Sequence, residues 1–212
     1  AMKTVYVYVQ NTMADWEPGF ATAELNTGRF FRPGIEPHQV RTVALTAGPV
    51  VTLGGARILP ELTVDQITPD DAALLILPGA DTWLEADHEP VLAKVRDFLA
   101  AQVPVAAICG ATLALAQAGI LDNRRHTSND LDFLRSVCPS YKGAAYYQHQ
   151  VAVTDGLLIT ASGVAALEFA YHIFARLDVF RPETLEAWYN LHKRQEGRYY
   201  YALLGSLGIS PA

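Results

Sequence analysis

V-P-V-A-A-I-C-G-A-T-L-A-L-A-Q-A, residues 103–118, is the stretch of this sequence that decides the fold. Residues 105–108 form a short apolar run without polar alternation, which predicts a strand buried on both faces. A helix-forming segment, residues 111–118, follows at once. Cys109 is the reactive residue between the two, and this order of strand, nucleophile and helix is the layout of a nucleophile elbow.

Such an elbow requires small neighbours around the nucleophile, and Ala107, Gly110 and Ala111 meet this requirement. The start of the following helix would favour a thiolate, so we expect the pKa of Cys109 to be lowered. The alternative is that Cys109 is only a small buried hydrophobic residue, as most cysteines are. This stretch alone leaves both interpretations open.

The rest of the chain alternates strands with helices, which predicts a parallel sheet covered by helices on both faces. Two further segments, residues 50–59 and 150–161, have the turn residues of β-hairpins. No repeat or linker divides the chain, so we expect a single α/β domain over residues 3–212. The other predicted strands are residues 3–9, 40–46 and 72–77, and the other predicted helices are residues 89–102, 130–137 and 165–177 with a last helix from Pro182.

An acidic residue follows the first strand. Asp15-Trp16-Glu17-Pro18 opens a predicted helix that stops near Gly28, with Pro18 suited to the first turn. Glu17 therefore lies just past the carboxyl end of a strand, at the edge where open α/β sheets bind ligands. The alternative role for Glu17 is a carboxylate that only stabilises the helix start through the helix dipole.

Composition excludes several classes of function. The chain has 212 residues, 50% of them hydrophobic, and a net charge of −6, which argues against binding nucleic acid or anionic membranes. No apolar run reaches the length of a membrane span, and no charged-then-apolar leader opens the chain. Two cysteines, Cys109 and Cys138, make no disulfide framework, so we expect a cytoplasmic protein.

Motifs for metals and nucleotides are missing from the sequence. There is no pair of closely spaced cysteines, no H-E-x-x-H, no G-x-G-x-x-G after the first strand and no phosphate-binding loop. We therefore expect neither a metal nor a cofactor. A small-molecule substrate is the expected partner.

Four motifs occur in an order that resembles the ThiJ/PfpI family of the class I glutamine-amidotransferase-like superfamily. The resemblance covers residues 3–178 and implies a flavodoxin-like three-layer α/β sandwich, usually a homodimer, with a reactive cysteine at the elbow. The four motifs are D-W-E at residues 15–17, L-I-L-P-G-A at 75–80, A-A-I-C-G-A at 106–111 and D-G-L-L-I-T-A-S-G at 155–163.

The resemblance also implies roles for individual residues. Cys109 matches the family's reactive cysteine, and Glu17 matches an acid that is held protonated and hydrogen-bonds the sulfur. A carboxyl buried beside a thiolate has its pKa raised, and once neutral it can donate a hydrogen bond. The backbone N–H groups of Gly79 or Ala80, together with that of Gly110, match a pocket that stabilises an oxyanion.

The sequence departs from the family's pattern in its histidines. Protease-like members have a histidine directly after the cysteine, where this chain has Gly110, and other members have one after a T-S motif, where this chain has Asn129. An asparagine cannot act as a general base. His126 and His149 are the candidates for a catalytic imidazole, and ordinary loop histidines are the alternative.

Three hypotheses for function follow. The first is a cysteine-dependent hydrolase, or a hydratase- or glyoxalase-like enzyme, for a small carbonyl, amide, isocyanide or nitrile-like substrate. Cys109 would be the nucleophile, Glu17 its proton partner and His126 a candidate base. The second is an oxidative-stress sensor in which Cys109 is oxidised and Glu17 stabilises the product. The third is an amidotransferase-like binding protein without activity.

Overall fold

The computed structural model describes residues 2–210 and contains one seven-stranded sheet and one small hairpin. The order across the sheet is β5-β2-β1-β6-β7-β9-β8, which places β7, the elbow strand, near its centre. The strands are β1 Thr4–Tyr8, β2 Gln39–Ala44, β3 Val50–Val51, β4 Arg57–Ile58, β5 Leu62–Thr63, β6 Ala72–Leu77, β7 Val105–Ile108, β8 Ala152–Asp155 and β9 Leu158–Ala161.

Five of the six strand pairs in this sheet are parallel, and only the edge strand β8 runs antiparallel to its neighbour. The carboxyl ends of β1, β6, β7 and β9 therefore lie along one edge of the sheet. β6 and β7 are buried along their whole lengths, as their unbroken apolar sequences predict. The loops that leave this edge carry the residues of the site.

Helices cover both faces of the sheet, so the predicted flavodoxin-like three-layer sandwich is confirmed. One hydrophobic core joins the sheet to α1, α5, α6 and α7, and a second core on the opposite face joins it to α2, α3 and α4. The helices are α1 Gly19–Thr27, α2 Glu89–Ala100, α3 Gly110–Gln117, α4 Leu131–Val137, α5 Ala166–Leu177, α6 Pro182–Arg194 and α7 Gly197–Ser206.

The structure differs from the sequence-based expectation in two elements. The sequence predicts only a short helix over residues 63–67 in this region. The structure has the two-residue strand β5 at the edge of the sheet, followed by a single 3₁₀ turn at Val64–Gln66. For residues 198–207 the sequence predicts only a tail whose tyrosines cover the core or a partner subunit. The structure has the helix α7 there, and its Leu203 packs into the core. Tyr200 and Tyr201 on this helix are exposed, so they do not cover the core.

No helix in residues 2–210 combines the length and apolarity that crossing a bilayer requires. Within the same residues, no group of three or more histidine, cysteine, aspartate or glutamate side chains is arranged to hold a metal ion.

We expect the substitution Asp130→Ala to destabilise the protein by about 1 kcal/mol, because Asp130 caps the short helix α4. Its carboxylate accepts a hydrogen bond of 2.9 Å from the Phe133 N–H. The free energy of unfolding, measured by urea denaturation, tests this. Asp132→Ala is the control, since Asp132 lies exposed in the first turn of the same helix. Equal stability losses in the two variants would contradict the capping role.

Candidate active site

Cys109 lies in a sharp turn between β7 and α3, as the elbow pattern predicts. Its backbone has φ 59° and ψ −127°, a region that residues with a side chain rarely adopt. The Cys109 N–H donates to Ala161 O at 2.9 Å, which continues the pairing of β7 with β9 through the turn. The strained turn leaves the thiol half-buried at the carboxyl edge of the sheet.

Glu17 reaches the thiol from the loop between β1 and α1. The helix begins two residues later than Glu17, at Gly19, and Glu17 does not cap it. The Glu17 side chain is fully buried, and its Oε1 accepts a hydrogen bond of 2.7 Å from the Gly79 N–H. No N–H or O–H of residues 2–210 reaches Oε2, and both Oε2 and Cys109 Sγ lie close to Gly163. The carboxyl thus has one oxygen held by the backbone and one without a hydrogen-bond partner beside the thiol.

Two glycines give the carboxyl and the thiol room to meet. A Cβ on Gly79 would lie 2.5 Å from Glu17 Oε1 and 2.7 Å from Cys109 Cβ. A Cβ on Gly163 would lie 2.7 Å from Cys109 Sγ and 3.0 Å from Glu17 Oε2. These distances are shorter than carbon atoms normally allow, so side chains at either position would displace the pair.

Asn129 supplies a hydrogen bond to the sulfur. Its Nδ2 donates to Cys109 Sγ at 3.3 Å. Its Oδ1 accepts the Gly163 N–H at 2.8 Å, which fixes the orientation of the amide and directs the NH₂ group toward the thiol. A neutral donor in this position favours the thiolate without adding a second titratable group.

The segment that carries Asn129 is held by hydrogen bonds at the two preceding residues, Thr127 and Ser128. The Thr127 N–H donates to Thr160 Oγ1 on β9 at 2.9 Å. The Ser128 and Thr112 hydroxyls are 2.7 Å apart, and Thr112 also bonds Cys109 O at 2.6 Å. Asn129 is therefore positioned by the sheet on one side and by the elbow helix on the other.

Burial dominates the proton affinities of the Glu17–Cys109 pair. Desolvation raises the pKa of Glu17 to about 7 from 4.5, against the lowering effect of the Gly79 N–H. Burial also raises the pKa of the Cys109 thiol, while the donors on Asn129 and Gly110 lower it and the Glu17 carboxylate raises it further. The expectation that the helix start lowers this pKa is therefore corrected, because desolvation outweighs it.

The two candidate histidines are not brought to the sulfur. His126 is fully buried, with Nδ1 2.5 Å from Arg124 O and Nε2 2.6 Å from Tyr141 Oη. Arg124 O accepts only, so Nδ1 carries the proton and Nε2 accepts from the tyrosine. Both ring nitrogens are thus committed, which removes His126 from the expected catalytic set. His149 is exposed and packs edge-on against Tyr147.

The predicted oxyanion donors divide into two groups. The Gly79 N–H is already bonded to Glu17, so its place in this structure is to hold the carboxyl. The Ala80 N–H has no acceptor within residues 2–210. A Cβ on Gly110 would lie 2.6 Å from Ala80 O and 3.5 Å from Ala80 N, so the backbones at the two positions approach each other closely.

A cleft of about 420 Å³ opens above the thiol. This volume is in the range of sites for small molecules. Apart from the thiol and the Asn129 amide, Asp81 provides the main polar side chain of its lining. The apolar lining side chains are Trp16, Leu53, Trp83, Leu84, Leu113 and Phe133. The arrangement offers a nucleophile, a proton donor and two backbone donors at the base of one apolar cleft.

Three residues of this arrangement were not identified from the sequence. Asn129 was set aside because it is no base, but it occupies the position where the resembling family places a histidine, which was the signal available. Gly163 lies within a recognised motif, yet its close approach to the sulfur depends on how β9 pairs with β7. Trp16 also joins the site, because its Nε1 donates to Gly163 O at 3.1 Å.

Comparison with known proteins gives a consistent result. The model of the DJ-1/PfpI family matches residues 3–176. The chain is 47% identical over 205 residues to "Uncharacterized protease YoaZ" of Bacillus subtilis (strain 168), covering 97% of this chain and 98% of the relative. It is 29% identical over 150 residues to "Protein/nucleic acid deglycase 2" of Escherichia coli (strain K12), covering 66% and 84%.

A solved structure is similar over nearly the whole chain. The thiJ/pfpI family protein from Bacillus anthracis has a TM-score of 0.94 and 46% identity, covering 97% of this chain and 98% of the other. The fold and the chain length are therefore shared with this relative.

We expect Gly163→Ala to slow alkylation of Cys109 by iodoacetamide at least about tenfold, because the added methyl group would overlap the sulfur and loosen the Asn129 contact. The rate of mass increase at Cys109 measures this effect. Gly197→Ala is the control, since a Cβ there meets no atom within 4 Å. An unchanged rate in Gly163→Ala, with the fold retained by circular dichroism, would contradict the described geometry.

Proposed function

The chain belongs to the DJ-1/PfpI family, and we propose that it is a cysteine-dependent enzyme that hydrolyses or hydrates a small carbonyl or amide substrate. Cys109 is the nucleophile in this proposal, and Glu17 is its proton partner. Asn129 steadies the thiolate, and the N–H groups of Ala80 and Gly110 stabilise the oxyanion. The observation that carries the proposal is the buried Glu17 Oε2, which has no hydrogen-bond partner within residues 2–210 and lies beside the Cys109 thiol.

The first step is a proton exchange inside the pair. The thiol proton moves to Glu17 Oε2, which leaves a thiolate beside a neutral carboxyl and keeps the pair's total charge unchanged. The Asn129 Nδ2–H donates to the sulfur and favours this state. A carboxyl with a pKa of about 7 can both take and return a proton near neutral pH.

The thiolate then attacks the carbonyl carbon, and the C=O electron pair moves to the oxygen. Ala80 and Gly110 N–H groups bind this oxyanion. With an amide, the C–N bond breaks, the leaving amine takes the proton from Glu17, and a thioester to Cys109 remains. Water attacks the thioester while the Glu17 carboxylate takes its proton, so the acid product and the thiolate are released.

Two considerations support Glu17, rather than a histidine, as the proton carrier. The imidazole of His126 is held by two other partners, and His149 packs on Tyr147. The relatives described above bear the names of a protease and a deglycase, and both names describe a hydrolase-like reaction. We also propose a homodimer in the cytoplasm, as the family resemblance and the two unpaired cysteines predict.

We expect Cys109→Ala to lower turnover of any active substrate by at least about a thousandfold, because it removes the attacking atom. Glu17→Gln should lower turnover by roughly a hundredfold or more, since glutamine can hydrogen-bond the sulfur but cannot carry the proton. Asn129→Ala should cost about tenfold, the effect of one hydrogen bond to a charged group. Assays on 2-oxoaldehydes, isocyanides and small amides measure these effects.

Cys138→Ala is the matched control, because Cys138 is buried beneath α3 and donates only to Leu113 O. Its turnover should equal that of the unsubstituted protein. Full activity in Cys109→Ala would contradict the proposal. Absence of turnover, together with selective addition of two oxygen atoms at Cys109 after mild peroxide treatment, would instead support the sensor hypothesis.

A further inference from the structure

We propose that the cleft above Cys109 selects substrates that carry an aromatic or branched aliphatic group next to the reacting carbonyl and that are neutral or cationic, not anionic. This inference rests on the proposed function and specifies its substrate class. Its basis is the convergence of exposed apolar side chains and one exposed carboxylate, that of Asp81, in the lining of the cleft.

Four large apolar side chains at the cleft are about half exposed to solvent. Trp16 is 56% exposed, Leu53 50%, Leu84 46% and Phe133 49%. Single exposed apolar side chains are ordinary on protein surfaces, but a cluster around a nucleophile marks a binding surface. A substrate group that covers them would remove apolar area from water and gain affinity.

These side chains come from separate segments, and three of those segments are held by specific hydrogen bonds. The Trp16 indole is fixed to Gly163 O. Leu53 follows β3 in the small hairpin, and its N–H donates to Met13 O at 3.0 Å. The Phe133 N–H is held by the Asp130 cap. The apolar surface is therefore formed before a ligand binds, which lowers the entropy cost of binding.

The charged side chains that line the cleft are acidic only. Among its lining residues in the described part of the chain there is no lysine, arginine or histidine, and Asp81 is the one acidic residue. Asp81 is exposed, and its carboxylate forms no ion pair within residues 2–210. A carboxylate at the mouth, on a chain of net charge −6, repels anionic substrates.

Alkylation of Cys109 tests this selectivity without requiring turnover. In each reaction the thiolate forms a C–S bond and iodide leaves, so the reagents differ only in the group they carry. The reagents are iodoacetamide, N-benzyl-iodoacetamide and iodoacetate, used on a Cys138→Ala background with each rate divided by that for free cysteine. We expect the benzyl reagent to react about tenfold faster than iodoacetamide, and iodoacetate to react more slowly than iodoacetamide.

Two matched pairs of variants test whether the side chains of the cleft cause the selectivity between reagents. Leu53→Ala should reduce the benzyl preference several-fold, whereas Leu59→Ala should not, because Leu59 is 70% exposed on the same hairpin segment but does not line the cleft. Asp81→Asn should raise the iodoacetate rate relative to iodoacetamide. Asp70→Asn, which removes the same charge at an exposed position outside the cleft, should not.

Equal normalised rates for the three reagents would overturn the inference, as would equal effects of Leu53→Ala and Leu59→Ala. A change in oligomeric state on Leu53→Ala, measured by sedimentation, would also overturn it, because a second copy of the chain would then be what covers these side chains. The selectivity can persist when no carbonyl or amide compound is turned over. In that outcome the proposed function fails and the binding preference stands.

Discussion

The structure depends on holding a fully buried carboxyl group against a half-buried thiol at the base of the cleft. Glu17 lies in the loop after the first strand, and Cys109 lies on a strained turn after strand β7. Gly79 and Gly163 leave no volume between them for a side chain, so the two groups are each other's neighbours. In the proposed mechanism, the proton that passes between them is therefore the reactive element of the site.

Burial of the Glu17 carboxyl lowers the stability of the protein when the group is ionised, so the stability depends on pH. The folded pKa of Glu17, about 7, lies above the ordinary value of 4.5, so protonation favours the folded state. Its contribution to stability is fully present below pH 4.5 and is lost as the pH rises through about 7. The difference between the folded and the ordinary pKa of Glu17 corresponds to roughly 3 kcal/mol in the free energy of unfolding. A protein that keeps such a group buried sacrifices stability, which is typical of functional sites.

The sequence predicted those parts of the molecule that local patterns determine. Unbroken apolar runs such as residues 72–77 and 105–108 predicted the buried parallel strands, and the small residues around Cys109 predicted the elbow. The two-residue strand β5 was not predictable in this way, because its pairing with β2 arises from tertiary contacts. The approach of Asn129 and Gly163 to the sulfur depends on the spatial order of β7 and β9. The effect of the helix start on the thiol was overestimated, since the sequence does not show how deeply Cys109 is buried.

A single titration tests the central claim most directly. The ¹³C resonance of the Glu17 side-chain carboxyl, assigned by its loss in Glu17→Gln, reports the protonation of that group as the pH is changed. The shared-proton account predicts a midpoint of about 7 in the folded protein. A midpoint near 4.5, the value for a solvated glutamate, would show that the carboxyl is ionised beside the thiol throughout the neutral range and would contradict the account.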